Sequence, residues 1–155
     1  MGIRVRFDKD LQTLRDKVIR LGSRVDTSIG RSTQALKERN RWLARRIIAE
    51  DEQINDLRFE IEKDSVVLIA RQQPTGHDLR LIVAVMNIVL DLERIGDHTT
   101  GIATIVLRMG DEPLLKPLID LPRMTYIAQE MLRASLDAFV EENRAKGNGH
   151  HRAGR

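Results

Sequence analysis

The feature that most constrains this chain is an apolar repeat of helical period that continues unbroken from Phe7 to Ala35. Apolar or small residues return every three or four positions, at Phe7, Leu11, Leu14, Val18, Leu21, Val25, Ser28, Ser32 and Ala35. A 3.5-residue spacing keeps one stripe on one side of a helix of about eight turns. Such a stripe is stable only when other long helices cover it, because an isolated amphipathic helix gains too little from its own hydrogen bonds. No stretch alternates with period two over the length of a strand, so the fold class is all-α: an antiparallel bundle of long helices with short connections.

Three further helical segments follow. The second opens at Asn40, a good cap, and runs to about Gln72, with Ala44, Ile47, Ile54, Ile61 and Leu68 on one side. Pro74-Thr75-Gly76 ends it, and a third helix extends to about Met109 with a middle that is apolar nearly all round, which makes it the expected central helix. A fourth runs from about Leu121 to Arg144 after Pro113, Pro117 and Pro122. The expected organisation is a three-helix bundle over 1–112, a fourth helix within 113–144 and a disordered, Gly-rich basic tail over 145–155. Setting Leu21–Asn40 against Met124–Asn143, without a gap, matches Ser32 with Ser135, Ala35 with Ala138, Glu38 with Glu141 and Asn40 with Asn143. The echo suggests that the fourth helix opens a second three-helix unit.

At 155 residues the chain is long enough for one sizeable core. It has no cysteine, so disulfides, thiolate nucleophiles and cysteine-based zinc sites are excluded, and any metal must take oxygen or nitrogen ligands. The longest apolar run, Leu79 to Leu92, is interrupted by Arg80, Asn87 and Asp91, and the amino terminus lacks an apolar signal core, which predicts a soluble cytoplasmic protein. Residues 1–46 hold 13 lysines and arginines against 5 acids, whereas residues 47–64 hold 2 against 7. A basic first helix suits an acidic partner. Nucleic acid is not expected, because the five aromatics (Phe7, Trp42, Phe59, Tyr126 and Phe139) are scattered and form no stacking platform.

Carboxylates fall where helical periodicity expects the core. With Asp51 as origin, Asn55, Arg58 and Glu62 lie within about 40° of it, beside Ile47 and Ile54. On the third helix Glu93 and Asp97 continue the line of Ile82, Met86 and Leu90. Burying carboxylates costs several kcal/mol each without compensation. Two compensations fit. One is an internal ion-pair network through Arg58 and Arg94; the other is a metal site in which Asp51, Asn55, Glu93 and Asp97 offer oxygen to Mg²⁺, Mn²⁺, Ca²⁺ or iron. The Glu-x-x-His pattern of di-iron bundles is absent, and so are phosphate-binding loops, nucleophile elbows and His-Glu-x-x-His. Metal storage or metal-dependent hydrolysis is the enzymatic alternative that survives.

The run Ala70-Arg71-Gln72-Gln73-Pro74-Thr75-Gly76-His77-Asp78-Leu79-Arg80, followed by Asp91-Leu92-Glu93-Arg94-Ile95-Gly96-Asp97-His98, closely resembles the PhoU family of phosphate-uptake regulators. Phe7-Asp8, Leu21-Gly22 and Glu50-Asp51-Glu52-Gln53-Ile54-Asn55 resemble its first repeat, so the likeness covers about residues 7–143. The resemblance implies two similar three-helix bundles, with Glu/Asp-x-x-x-Asp and Asp-x-x-x-Asn/Asp motifs holding an iron or zinc ion or cluster, manganese or magnesium being alternatives. Those motifs map onto Glu93 and Asp97 and onto Asp51 and Asn55. It further implies a cytoplasmic adaptor, not an enzyme, linking a phosphate ABC transporter to a two-component sensor kinase and touching the membrane only through such partners. Arg80, Arg94 and the basic first helix are the expected partner surfaces. The apolar face of the fourth helix, at Met124, Ile127, Met131, Leu132 and Phe139, predicts a homodimer.

Overall fold

A computed structural model describes residues 2–110 and 120–152. Among them the secondary structure is four helices without a strand: α1 (Ile3–Glu38), α2 (Arg41–Gln72), α3 (Gly76–Met109) and α4 (Asp120–Arg152). The breaks have local causes. Asn40 caps α2 by accepting a hydrogen bond from the Leu43 amide at 3.0 Å. Arg39 and Gln73 close α1 and α2 in the left-handed conformation, each donating its amide, or that of the next residue, to a carbonyl of the last turn.

Cross-links fix the directions. Lys17 pairs with Glu60 and Asp64, and Arg24 donates to Gln53 at 2.7 Å, so α1 and α2 are antiparallel. Arg58 meets Glu93, and α3 returns along α2. Arg4 meets Asp78, and Ser28 meets Thr99 at 2.8 Å, so α1 and α3 are parallel. All nine residues of the α1 repeat, Phe7 through Ala35, are buried. The principal core combines those from Phe7 to Val25 with Ile54, Leu57, Ile61 and Leu68 of α2 and Leu81, Ile82, Val85, Val89 and Leu92 of α3, while Ala35 packs in a second cluster with Leu43, Ala44, Ile47, Ala103 and Val106. The buried hydroxyls are satisfied: Thr99 donates to the Gly96 carbonyl, which leaves Ser28 as the donor to Thr99. Small side chains at Ser28, Ser32 and Gly96 let the helices approach there.

α4 lies antiparallel on the outside of α1. Gln129 donates to the Asp26 carbonyl at 3.1 Å, Arg133 reaches the Asp26 carboxylate, and Leu136 lies against Gly22. Leu132 and Phe139 are buried by this packing, while Met124, Ile127 and Met131 stay exposed. The helix runs on through Arg152, so the tail expected to be disordered from residue 145 is helical up to that point. A helix already nucleated extends at little cost, and Arg144, Ala145 and Lys146 are good helix formers. Residues 111–119 and 153–155, which hold Pro113, Pro117 and the end of the expected tail, lie outside the described residues. Among the described residues no helix is long and apolar enough to cross a membrane.

Candidate functional site

The polar stripes of α2 and α3 meet along one seam of the bundle. Their position corrects the sequence expectation of buried carboxylates. The core face of α2 is centred on Ile54, Leu57, Ile61 and Leu68, and that of α3 on Val85, Val89, Leu92 and Gly96. Asp51, Asn55, Arg58 and Glu62 are turned about 100° from the first centre, and Glu93 and Asp97 about 90° from the second. They line the edge of the helix interface: Asp51, Asn55, Arg58, Glu62 and Glu93 are half-buried, and Asp97 is exposed. Leu90 and Met86, on the same line of α3, are likewise not buried.

Arg58 is the centre of the seam. Its Nη1 lies 2.8 Å from Glu93 Oε2 and 3.7 Å from Glu62 Oε1, with the side chain only 16% exposed. The guanidinium also stacks over Phe59, 4.3 Å from the ring centroid, and its buried Nε makes no hydrogen bond. One turn further along α2, Asn55 donates to Asp51 at 3.3 Å. Across the interface Asp97 and Thr100 face Asp51. Burial pushes the Asp51 carboxyl above the ordinary carboxylate range. The Thr100 hydroxyl pulls it back, the Asp97 charge pushes it up again, and Asn55 and Arg58 pull it down.

The four residues expected to act together are therefore divided. Asp51, Asn55 and Asp97 lie near one another at one end, and Glu93 belongs to Arg58 at the other. Among the described residues no three acidic or histidine side chains converge on one point that a metal ion could occupy. For a metal ion the donor chemistry is partly suitable: two carboxylates and an amide suit a hard cation, while the fourth donor already has a cation of its own. His98 is on the exposed surface of α3.

Arg80 and Arg94 are exposed on α3. Asp78, a natural partner for Arg80, is held by Arg4 instead. Part of the basic character of α1 is used within the molecule: Arg4, Lys17 and Arg31 pair with Asp78, with Glu60 and Asp64, and with Glu50 respectively, while Arg6, Lys9, Arg20 and Lys37 are exposed. The neighbouring Asp64 and Glu60 raise the Lys17 pKa above its ordinary value. Sequence periodicity missed one feature, an open cleft of about 210 Å³ between α1 and α2, lined by Ser23, Arg24, Thr27, Ser28, Arg31, Glu50 and Ile54. The alternation of hydroxyls and arginines along one face of α1 was its only trace in the sequence.

An acid-edged seam between two helices of a three-helix bundle, with a fourth helix laid outside the first, defines a class of helical-bundle proteins. Comparison with known proteins narrows the class. A family model described as the PhoU domain matches residues 18–106, more than half of the chain, and the chain belongs to the PhoU family. It is 35% identical over 135 residues to the phosphate-specific transport system accessory protein PhoU homolog of Aquifex aeolicus, covering 87% of this chain and 61% of that protein. To the homolog so described in Clostridium acetobutylicum it is 37% identical over 138 residues, covering 88% and 63%. The crystal structure of PhoU from Pseudomonas aeruginosa matches with a TM-score of 0.80 at 30% identity, over 87% of this chain and 65% of that one. The chain thus spans about six tenths of the length of these relatives.

Proposed function

We propose that this chain is a regulator of phosphate uptake that acts by contact, as an adaptor between a phosphate ABC transporter and a two-component sensor kinase, and not by catalysis. The observation that carries the reading is the identity of 35–37% to accessory proteins of phosphate-specific transport systems, spread over nearly all of the chain. Arg80 and Arg94 support it as the contact surface. They stand on one exposed face of α3, and, unlike Arg4, Lys17 and Arg31 of α1, they are not committed to holding helices together.

The test is capture of solubilised transporter and of purified sensor kinase by the immobilised full chain. Both are expected to be retained, and retention is expected to fall about tenfold in the double variant Arg80→Glu/Arg94→Glu, whose helix content should be unchanged. Retention of neither by the wild-type chain would overturn the adaptor reading. Equal retention by the double variant would move the contact away from this face of α3.

Two further parts of this reading concern assembly and metal. A second copy of the chain covers the exposed stripe of α4. The register of the internal echo supports this: Met124, Ala128, Met131, Ser135 and Ala138, all exposed, are the counterparts of Leu21, Val25, Ser28, Ser32 and Ala35, all buried by α2 and α3. Sedimentation is expected to show a dimer that Met131→Glu converts to a monomer; a wild-type monomer at micromolar concentration would rule the dimer out. Asp51, Asn55 and Asp97 would hold a metal ion, with magnesium, manganese, iron or zinc as candidates. Its contribution would be positive charge that joins the two carboxylates across the α2/α3 seam.

A further inference from the structure

The α2/α3 seam carries a cation of its own. Glu93 is not an open ligand: the Arg58 guanidinium lies 2.8 Å from it, bridges towards Glu62, and is fixed in place by the Phe59 ring. A guanidinium with its planar fork of donors is a strong partner for a carboxylate, and a side chain tethered one interface away competes at high local concentration. It also places a full positive charge beside any ion that approaches Glu93 or Glu62.

We propose that Arg58 stands in for a metal ion at this end of the seam. In this chain the guanidinium takes the charge-balancing role that a second or third metal ion would otherwise have, and it limits metal uptake to at most one ion, at Asp51, Asn55 and Asp97. The charged groups that it acts on are Glu62 and, at longer range, Asp51 from α2 and Glu93 from α3. Removing the guanidinium frees Glu62 and Glu93, two half-buried carboxylates on facing helices, and so creates donors for a polynuclear site that the wild-type chain lacks. The inference refines the metal part of the reading above and is independent of the adaptor role.

The experiment compares wild type, Arg58→Gln and Arg58→Gln/Glu93→Gln, each stripped with chelator and then dialysed against Mn²⁺ or Zn²⁺. Bound metal is counted by elemental analysis, and the Tm is read with and without the ion. Wild type is expected to hold one ion or none, with a small metal-induced change in Tm. Arg58→Gln is expected to hold at least one ion more than wild type, at least tenfold more tightly, and to lose the gain when Glu93 is also replaced. Should Arg58→Gln be unstable without metal, restoration of its folding by Mn²⁺, but not in the double variant, supports the same conclusion. Two or more ions on wild type would overturn it, and so would equal uptake by wild type and Arg58→Gln. A wild-type chain that binds no ion, with a gain in Arg58→Gln, would remove the single-ion site while leaving the role of Arg58 intact.

Discussion

Ile82→Ala is expected to lower the unfolding free energy by about 3 kcal/mol, within the ~2–5 kcal/mol range of buried Ile-to-Ala changes. Ile82 is 0% exposed and belongs to the principal core, where α1, α2 and α3 supply side chains together. Truncation removes methyl and methylene groups that nothing nearby can replace, since α3 is enclosed by the other two helices of the bundle. The control is Val83→Ala. Val83 is 45% exposed on the same turn, and its replacement should change stability by no more than about 0.5 kcal/mol. Urea or guanidinium unfolding of the two variants measures the difference. Equal midpoints would mean that the inner face of α3 is wrongly placed.

Gly22→Leu is expected to lift α4 off the bundle while leaving α1 to α3 folded. A Cβ at residue 22 would come within 2.4 Å of Leu136 Cδ1 and 3.3 Å of Leu136 Cγ, so the two helices touch where Gly22 has no side chain. Alanine can be accommodated by rotation of Leu136, and it gains up to about 1 kcal/mol of helix propensity in return. Leucine cannot be accommodated without separating the helices, at an overpacking cost of about 1–3 kcal/mol. That is enough to release a helix anchored mainly by Leu132, Leu136 and Phe139. Limited proteolysis should then cut between residues 120 and 141 and spare 2–110. Leu136→Ala in the Gly22→Leu background should restore protection. Protection equal to wild type in Gly22→Leu would show that α4 does not rest on α1 at this point.

The value of these two variants is that they separate parts of the fold that differ in how far the sequence shows them. Every residue of the α1 repeat that periodicity assigned to the core is buried, because a helix that must cover one continuous stripe leaves no choice of face. The helix ends at Asn40 and at Gln73-Pro74 were equally legible, since capping and proline act within a few residues. The carboxylates were legible as a group but not as a site. A helical wheel locates a polar stripe to within about a quarter turn, and that margin separates the buried centre of an interface from its edge. Asp97 and Leu90, assigned to the core line, proved to be on the exposed side of that margin.

Arg58 shows why the partners of those carboxylates could not be read from spacing. An ion-pair network and a metal site require the same acids at the same positions. They differ only in whether a guanidinium on one helix reaches a carboxylate on another, 35 residues later in the chain. The same holds for the charge asymmetry of the chain. A surplus of arginine and lysine in residues 1–46 suggested a basic outer surface, yet Lys17 and Arg31 pair with acids of residues 47–64, which the α1/α2 turn folds back alongside.

By itself the sequence determined the class of the fold, the number and limits of the first three helices, the inner face of α1 and, through its motifs, the family. These follow from local periodicity, capping and residue order, which need no knowledge of what lies opposite. Only the tertiary structure decided which side of α4 meets α1, that Glu93 is paired with Arg58 while Asp51 faces Asp97, and that Arg80 and Arg94 remain available where Arg4, Lys17 and Arg31 do not. Those outcomes depend on the relative rotation and register of helices far apart in sequence, set by close packing around Gly22, Ser28 and Gly96.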